Sequence, residues 1–429
     1  MADDPCVFPL KCAVQNYVWG KLGNQSEVAR LSQSGNPDFK LQQDVPYAEL
    51  WMGTHPNGPS KIYLEGMEEK DLGEWISEHP ERLGKETNDY FKGELPFLFK
   101  VLSVRTSLSI QAHPNKIHAE LLNRENPNLY KDANHKPELA IALTPFQGLC
   151  GFRVIQDVAK YLQDIQEFRT VVGTENAIKL IAASRAIDMA SHRSVMKNAF
   201  EAMMMRDKET LQKEVRKWVS KVMDMEEQGE DISQYNGEVL LKLHREFPGD
   251  VGCFAVYFLN HITLQPGQAM FLDANLPHAY LSGDCMECMA CSDNVVRAGL
   301  TVKYVDVQTL CKMLDYTGRQ PQKAIFAAIQ DTEDPYAAIF KPPVNDFAVI
   351  RIMLPGDVAQ YQLRPLQNAS ICIVISGKAE GTTRSLANPL KLQPGSVFFM
   401  SANEIVTLKL ETCQVVVLNS SERNASCED

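Results

Sequence analysis

The sequence contains the stretch Leu264-Gln-Pro-Gly-Gln-Ala-Met-Phe-Leu-Asp-Ala-Asn275 and repeats it, 128 residues later, as Leu392-Gln-Pro-Gly-Ser-Val-Phe-Phe-Met-Ser-Ala-Asn403. Seven of the twelve positions are identical. Each copy has the pattern of a Pro-Gly turn, a strand buried on both faces and an Ala-Asn corner. Coincidence would explain the Pro-Gly pair but not seven matches, so the repeat predicts two β-barrels of the same kind.

The two copies differ in the residues that follow them. The first continues as Leu276-Pro-His278, whereas the second continues as Glu404-Ile-Val406. The first barrel therefore keeps a histidine at its rim where the second barrel has a valine.

The chain as a whole divides into three parts that differ in their pattern of apolar residues, glycine and proline. Short apolar runs bounded by Gly and Pro, such as Phe97–Leu102, predict strands in the first third and again in the second half. Between Pro145 and Pro248 there is no proline, and apolar residues recur every three or four positions, which predicts helices. We therefore expect a fold that is mainly β with α. Its predicted parts are a first barrel from residues 1–153 with 246–330, an inserted α-helical domain at 154–245, and a second barrel at 331–429.

The composition of the 429 residues excludes several classes of protein. With 45% hydrophobic and 23% charged residues, wholesale disorder is excluded. A formal charge of −11 argues against nucleic acid or a membrane surface as partners, although it allows one basic pocket for a small anion. No apolar run reaches the ~18 residues of a membrane span, and Met1–Pro5 lacks the basic start of a signal peptide. Eleven scattered cysteines fit reduced thiols, so we expect a cytoplasmic protein.

Four side chains indicate a divalent-metal site. Residues two apart in a strand face the same side, so Gln111 and His113 would enter one interior together. Glu138 supplies a carboxylate, and His278, marked by the repeat, supplies a second imidazole. A lone histidine is more often a hydrogen-bonded core residue, but the spaced set favours metal binding. Two His and one carboxylate also suit Fe(II) oxygenases, whereas a neutral fourth ligand favours Lewis-acid chemistry and hence zinc.

A cysteine cluster is the competing metal site. Cys285, Cys288 and Cys291 could begin an iron–sulfur or zinc-thiolate motif. However, a spacing of three alternates faces on a strand, and the next cysteine, Cys311, falls in a predicted helix. We therefore interpret the three as structural, reduced cysteines.

Basic residues near these candidates would suit an anionic substrate. Arg297 lies in the segment Ser292–Lys303, and its guanidinium fork matches phosphate or enediolate oxygens. From composition alone, a surface salt bridge explains Arg297 equally well. Lys100, on a predicted strand, and Lys136, beside Glu138, are further candidate cations.

Five motifs resemble those of the type I mannose-6-phosphate isomerase family, in the same order. They are Ala13-Val-Gln-Asn-Tyr-Val-Trp-Gly20, Tyr47-Ala-Glu-Leu-Trp-Met-Gly-Thr-His-Pro56, Ser109-Ile-Gln-Ala-His-Pro-Asn-Lys116, Asn134-His-Lys-Pro-Glu138 and Ser292-Asp-Asn-Val-Val-Arg-Ala-Gly-Leu-Thr301. The resemblance runs from about residue 7 to the C-terminus and is nearest to the animal enzymes. It is looser in the helical insertion and in the last hundred residues.

The resemblance implies a fold and an activity. The fold would contain two cupin (jelly-roll β-barrel) domains, of which the second lacks metal, consistent with Val406. The activity would be that of a zinc-dependent aldose–ketose isomerase that interconverts mannose 6-phosphate and fructose 6-phosphate through a cis-enediol. Such an enzyme supplies mannose for GDP-mannose synthesis and glycosylation. We expect a monomer.

The resemblance also implies roles for single residues. One zinc ion would be held by Gln111, His113, Glu138 and His278. Arg297 matches the active-site arginine of the family. We expect Lys136 to be the proton-transfer base, with Glu287, Asp293 and His135 as rivals. The expected substrate-binding residues are Trp19, Glu49, Lys100, Ser109, Tyr280, Glu287 and Asp293, with Ser109 near a phosphate oxygen.

Two other classes of function stay open at this point. A cupin dioxygenase would use Fe(II) on the same two histidines and carboxylate, and it would consume oxygen. A non-catalytic protein would bind a sugar phosphate tightly without turnover. The second alternative is disfavoured because an unused site has no reason to keep five motif positions together.

Overall fold

The computed structural model describes residues 5–64, 69–412 and 415–421. The first four residues of the Met1–Pro5 segment and the last eight of the predicted 331–429 domain lie outside the described residues. The strands of the first third are β1 (Val7–Lys11), β2 (Ala13–Gln15), β3 (Lys21–Leu22), β4 (Pro46–Tyr47), β5 (Glu49–Met52), β6 (Lys61–Ile62), β7 (Lys70–Asp71), β8 (Phe97–Val104), β9 (Ile110–Ala112), β10 (Glu138–Ala142) and β11 (Phe146–Phe152).

Helices alternate with these strands and then dominate the middle of the chain. They are α1 (Glu27–Gly35), α2 (Leu72–Glu78), α3 (Lys85–Phe91), α4 (Lys116–Glu125), α5 (Ile155–Asp164), α6 (Gln166–Val172), α7 (Thr174–Ala183), α8 (Met189–Met204), α9 (Lys208–Glu227), α10 (Gly237–Glu246), α11 (Gly252–Ala255) and α12 (Val307–Met313). The later strands are β12 (Leu259–Leu264), β13 (Ala269–Leu272), β14 (His278–Ala290), β15 (Val296–Gly299), β16 (Ile325–Phe326), β17 (Ile329–Gln330), β18 (Ala337–Phe340), β19 (Ala348–Leu354), β20 (Gln360–Leu363), β21 (Ser370–Ser376), β22 (Ala379–Thr382), β23 (Leu390–Leu392), β24 (Val397–Met400), β25 (Val406–Leu410) and β26 (Val415–Ser421).

The fold is mixed α/β, and its strands form two large antiparallel sheets. The eleven-stranded sheet runs β16-β13-β10-β14-β8-β5-β2, with β9, β11, β12 and β15 attached through β14. The nine-stranded sheet runs β17-β18-β19-β26-β21-β24-β1-β6-β7. A four-stranded sheet, β20-β25-β22-β23, and the β3-β4 pair complete the described strands. Because β1 pairs with β24, the start of the chain joins the late strands.

The two copies of the sequence repeat fold alike, one in each large sheet. Gly267 and Gly395 have φ values of 85° and 84°, and Asn275 and Asn403 have φ values of 63° and 64°. These left-handed conformations cost least for glycine and little for asparagine, which explains why both residue types recur. The strand between them is β13 in the first copy and β24 in the second.

The helices from α5 to α11 pack around one core, which they share with residues of β9, β11, β14 and β15. On α5 the buried residues Ile155, Val158 and Leu162 lie at helical spacing. Deeper in this core the indole nitrogen of Trp218 donates to the hydroxyl of Tyr257 at 2.5 Å. Among the described helices, none combines the length and the hydropathy that a bilayer crossing requires.

The two large sheets share one hydrophobic core, which we call the shared core. It includes Phe99 from the eleven-stranded sheet and Phe399 from the nine-stranded sheet, both fully buried, together with Phe347 just before β19. Burying such a side chain is worth about 1.5–3 kcal/mol. The sheets are therefore held against each other by packing rather than by a loose linker.

Candidate metal centre

Three buried side chains from different strands converge in the eleven-stranded sheet. Glu138 begins β10, His278 begins β14, and His113 directly follows β9. Glu138 Oε1 lies 3.4 Å from Nε2 of His113, and Oε2 lies 3.4 Å from Nε2 of His278. One ligand atom from each residue lies within 4.8 Å of the other two, and all three side chains are buried. Among the described residues this is the only such group of His, Cys, Asp and Glu side chains.

Both histidines are oriented by backbone carbonyls. Nδ1 of His113 lies 2.6 Å from the carbonyl oxygen of Asn294, and Nδ1 of His278 lies 2.9 Å from that of Leu276. A carbonyl only accepts, so each Nδ1 carries a proton, and in the neutral ring the lone pair is then on Nε2. The two Nε2 atoms are buried and have no hydrogen-bond partner among the described residues.

This arrangement fits a bound cation. The two Nε2 lone pairs face a carboxylate, so acceptors meet acceptors unless a positive charge lies between them. Burial lowers the pKa of His113 to about 4, which keeps the ring neutral at pH 7, the form that ligates metals. Burial alone would raise the pKa of Glu138, but its neighbours, Lys136 among them, hold it well below its usual range. A divalent metal ion would satisfy all three side chains at once.

The fourth candidate ligand, Gln111, lies beside these three. It is paired across the ladder with His278 on one side and with Arg297 on the other. Its Oε1 accepts a hydrogen bond from the hydroxyl of Ser109 at 3.2 Å. Gln111 also lines the small cavity that touches Glu138 and His278. The amide oxygen is therefore available at the edge of the centre.

The second copy of the repeat has the same frame without these ligands. The N–H of the repeat's last asparagine donates to the carbonyl of His113 in the first copy and to that of Leu366 in the second. The last strand residue of the repeat pairs with Glu138 in the first copy and with Ser370 in the second. Val406 stands where the first copy has its second histidine. Leucine, serine and valine do not form a metal site, so the frame alone does not create one.

A buried charge network adjoins the centre. Lys100 Nζ on β8 lies 3.2 Å from Glu287 Oε2 and 3.8 Å from Glu49 Oε2. The hydroxyl of Tyr280 donates to Glu287 Oε1 at 2.7 Å. Burial would lower the pKa of Lys100, but the two glutamates raise it above its ordinary value, so Lys100 stays charged. Lys136 Nζ lies 3.3 Å from Glu138 Oε1, which brings a second cation to the candidate ligands.

Two adjoining cavities open from the centre. The metal cavity, about 70 Å³, touches Glu138 and His278, and the outer cavity, about 560 Å³, leads to the surface. An outer cavity of this size is typical of small-molecule sites. Trp19 and Asp293 line only the outer cavity. The residues that line both cavities are Glu49, Lys100, Leu108, Ser109, Gln111 and Lys136.

Arg297 on β15 also lines the outer cavity. Composition alone left a surface salt bridge open, but its guanidinium makes no hydrogen bond or ion pair with any residue in the described ranges. It is half-buried, and burial lowers its pKa from the ordinary value. Its charge therefore has no protein partner among the described residues and faces the cavity.

The structure adds a residue that sequence reasoning missed. His55 is buried, lines the outer cavity, and places Nε2 3.3 Å from Asp293 Oδ1. Its ring also meets the edge of Trp51, with the centroids 4.9 Å apart. The only sequence signal was its place in the motif that ends at Pro56, which did not distinguish it from its neighbours.

Two other candidates lie elsewhere. His135 does not line the outer cavity; its Nε2 lies 3.0 Å from Asp346 Oδ2. Cys285 packs in a cluster with Tyr280, whereas Cys288 packs in the shared core, so these two cysteines face opposite sides of β14. The cysteines therefore do not assemble a ligand set, as the structural interpretation predicts.

Known proteins are similar to this chain over nearly its whole length. The model of the phosphomannose isomerase type I catalytic domain matches residues 7–155, and that of the helical insertion domain of the same family matches residues 171–259. Mannose-6-phosphate isomerase from Macaca fascicularis is 50% identical, covering 95% of this chain and 96% of its own. The human enzyme is 49% identical with the same coverage. Mannose-6-phosphate isomerase 2 of Arabidopsis thaliana is 40% identical, covering 92% of this chain and 88% of its own.

Solved structures agree with the sequence matches. The apo form of mannose 6-phosphate isomerase from Salmonella typhimurium is 29% identical and superposes with a TM-score of 0.80, covering 98% of this chain and all of that chain. A zinc-bound holo form of mannose 6-phosphate isomerase gives 28% identity and a TM-score of 0.80 at the same coverage. Sequence, domain order and three-dimensional structure lead to one assignment: the chain belongs to the type I phosphomannose isomerase family.

Proposed function

We propose that this chain is a zinc-dependent aldose–ketose isomerase that interconverts mannose 6-phosphate and fructose 6-phosphate. The observation that carries the proposal is the pair of orphaned Nε2 atoms of His113 and His278 around Glu138, beneath a cation-lined cavity. The names of the Macaca fascicularis and human relatives support the reaction, and the zinc-bound relative supports the metal.

One zinc ion would be held by Gln111, His113, Glu138 and His278, because nitrogen and oxygen donors of this kind suit zinc. When bound, zinc supplies Lewis-acid chemistry by polarising a sugar oxygen and offsetting negative charge there. The neutral Gln111 amide is the argument for zinc over Fe(II), since a fourth protein ligand leaves fewer positions for oxygen.

We propose Lys136 as the base that moves a proton between C1 and C2 through a cis-enediol. Its side chain lines both cavities beside a ligand carboxylate, so it faces a sugar bound there. Glu287 is the closest rival, because burial raises its pKa, and a carboxyl of raised pKa suits general acid–base chemistry. Asp293 is a weaker rival, since its contact with His55 lowers its pKa. His135 is the weakest, because it does not line the outer cavity.

The remaining side chains would bind and orient the substrate. Arg297 would stabilise the enediolate or the phosphate with its planar fork. Ser109 would bind a phosphate oxygen, and Lys100 would keep a fixed positive charge near the sugar. The other proposed substrate contacts are Trp19, Glu49 and Tyr280.

We also propose a domain architecture, a metabolic role, a location and an oligomeric state for the enzyme. A pair of cupin barrels, with metal in the first alone, accounts for the repeat and for Val406 in the second copy. The family resemblance supports a role in supplying mannose for GDP-mannose and glycosylation. The reduced cysteines support a cytoplasmic location, and we propose a monomer whose substrate is a sugar phosphate.

Chelation and zinc add-back test the function. The zinc-loaded protein should convert mannose 6-phosphate to fructose 6-phosphate, exhaustive chelation should abolish the conversion, and added zinc should restore it. Conversion that survives complete removal of metal would contradict the zinc mechanism. Oxygen consumption by the iron-loaded protein would instead favour a dioxygenase, and tight binding without turnover at full zinc occupancy would favour a binding protein.

A further inference from the structure

We propose that Asp346 is a positioning residue, which holds the 131–137 loop and its Lys136 in place through His135. Asp346 lies just before β19 of the nine-stranded sheet, in the predicted second barrel. Its carboxylate contacts the loop before β10, in the eleven-stranded sheet that contains the candidate metal centre (the metal-bearing region). The proposal rests on the proposed function for its kinetic consequence, but the contact itself is independent of the reaction.

The surroundings of Asp346 hold its side chain in one position. It is 6% exposed and directly precedes Phe347, which is fully buried in the shared core. Its Oδ2 lies 3.0 Å from Nε2 of His135, and this is the only hydrogen bond that its side chain makes within the described ranges. A buried carboxylate is costly unless it is paired, so the contact is strongly favoured once the two sheets pack together.

The 131–137 loop is otherwise anchored within the metal-bearing region. Asp132 accepts hydrogen bonds from Ser292 and from the side chain of Asn294, and the amide of Asn134 donates to the carbonyl of Cys291. These contacts fix the beginning and the middle of the loop. The His135–Asp346 contact fixes the residue next to Lys136, and it alone among these contacts comes from the other large sheet region.

A small shift here would matter for the reaction. Lys136 Nζ lies 3.3 Å from Glu138 Oε1, so a shift of the loop would change the distance between this amine and the proposed ligands. Misplacement of a reacting group by about 1 Å can cost on the order of 10²-fold in rate. Loss of Asp346 should therefore lower kcat more than it raises KM.

The experiment compares Asp346→Ala, Asp346→Asn and Asp334→Ala in the full-length, zinc-loaded protein. Asp334 is the matched control, because it is 7% exposed, lies in the same region and bonds to Tyr361 rather than to the loop. We expect Asp346→Ala to lower kcat about tenfold with KM within about twofold, at unchanged zinc content. Asp346→Asn, whose amide oxygen still accepts from His135, should restore kcat to within about twofold of the original. Asp334→Ala should lower Tm and leave kcat unchanged.

A double-mutant cycle with His135→Ala separates positioning from catalysis. If Asp346 acts through His135, the double variant loses no more kcat than either single variant. A His135→Ala loss that far exceeds the Asp346→Ala loss and multiplies with it would overturn the proposal, as would equal kcat in Asp346→Ala and Asp334→Ala.

Hydrogen exchange gives a readout that does not depend on the reaction. Peptides that cover the 131–137 loop should exchange faster in Asp346→Ala but not in Asp334→Ala. If the unaltered protein failed to isomerise mannose 6-phosphate, the proposed function would fail while this measurement still decided the contact. Unchanged exchange in Asp346→Ala would overturn it.

Discussion

At the scale of single residues, the candidate centre depends on which nitrogen of each histidine carries the proton. The carbonyls of Leu276 and Asn294 hold the protons on Nδ1, so both Nε2 lone pairs face Glu138. Sequence reasoning found the histidines because His278 follows the repeat and His113 stands two residues from Gln111. It could not find the orienting carbonyls, since every residue has one and only the fold selects which are used.

Replacing His278 with alanine should remove metal while the chain stays folded. The substitution deletes one of the two orphaned Nε2 atoms, and the remaining proposed ligands should bind zinc weakly. We expect loss of bound zinc by elemental analysis, retained far-UV circular dichroism, and a fall in kcat on the order of 10²–10³. A variant that keeps its zinc but melts at a much lower temperature would mean that His278 is a core residue and not a ligand.

Arg297→Lys should not preserve the function of Arg297, although it keeps the charge. Lysine lacks the planar fork that binds two oxygens at once, so recognition of a phosphate or an enediolate would weaken. We expect kcat/KM to fall at least about tenfold with zinc content and Tm unchanged, because Arg297 has no described protein partner to lose. The exposed Arg216 on α9, changed to lysine, is the control that should keep full activity. Full activity in Arg297→Lys would contradict a bidentate role.

At the scale of elements, β14 contributes several residues of the site. It can do so because the alternation of its side chains between the two faces of the sheet shifts by one residue partway along the strand. His278 and Tyr280 share a face, as a strand period of two requires. Strict alternation would then place Glu287 on the opposite face, yet it accepts a hydrogen bond from Tyr280. A register shift in the pairing with β11, where one step from Gly148 to Gln147 spans two residues from Tyr280 to Ser282, lies between them. Gly283 follows directly with φ at 111°, and together the shift and this glycine return Glu287 to the face of Tyr280. The repeat made β13 and β24 predictable because its turn residues act locally, whereas the shift on β14 depends in part on a glycine that the sequence pattern did not single out.

Gly283→Ala should therefore damage both stability and the site. A Cβ there would lie 2.5 Å from the carbonyl oxygen of Pro145, and alanine disfavours the positive φ. We expect the free energy of unfolding to fall by about 2–4 kcal/mol, with loss of zinc because the two halves of β14 lose their common face. Gly381→Ala is the strand control, since its φ is not in the left-handed region and its Cβ would meet side-chain methyls. Equal, small effects of the two substitutions would contradict this account of β14.

At the scale of the whole molecule, net charge says little about the site. The chain carries −11 overall, yet Lys100, Lys136 and Arg297 line one cavity. The three-part pattern of the sequence predicted a helical middle, and helices α5 to α10 lie between Ile155 and Glu246. What the sequence could not predict is the shared core, because apolar residues of both sheets look alike until the strands pair. Such packing places Asp346 beside the 131–137 loop.

The number of metal ions can be read from the stability of the whole chain. The proposed ligands Gln111, His113, Glu138 and His278 are spread over 168 residues, so the unfolded chain cannot hold one ion with all of them. Zinc that binds the folded state alone adds about 1.4 kcal/mol of stability for each tenfold rise in free zinc above its Kd, for one site.

We therefore titrate the chelated protein with buffered free zinc and measure its free energy of unfolding. We expect this free energy to rise by about 1.4 kcal/mol for each tenfold rise in free zinc. A second specific ion would double the slope to about 2.8 kcal/mol, which would contradict a single site. His278→Ala provides the control, because its stability should not depend on zinc over the same range. A slope that persists in His278→Ala would place the stabilising ion elsewhere, since the folded chain would then bind zinc without the imidazole that the repeat singles out.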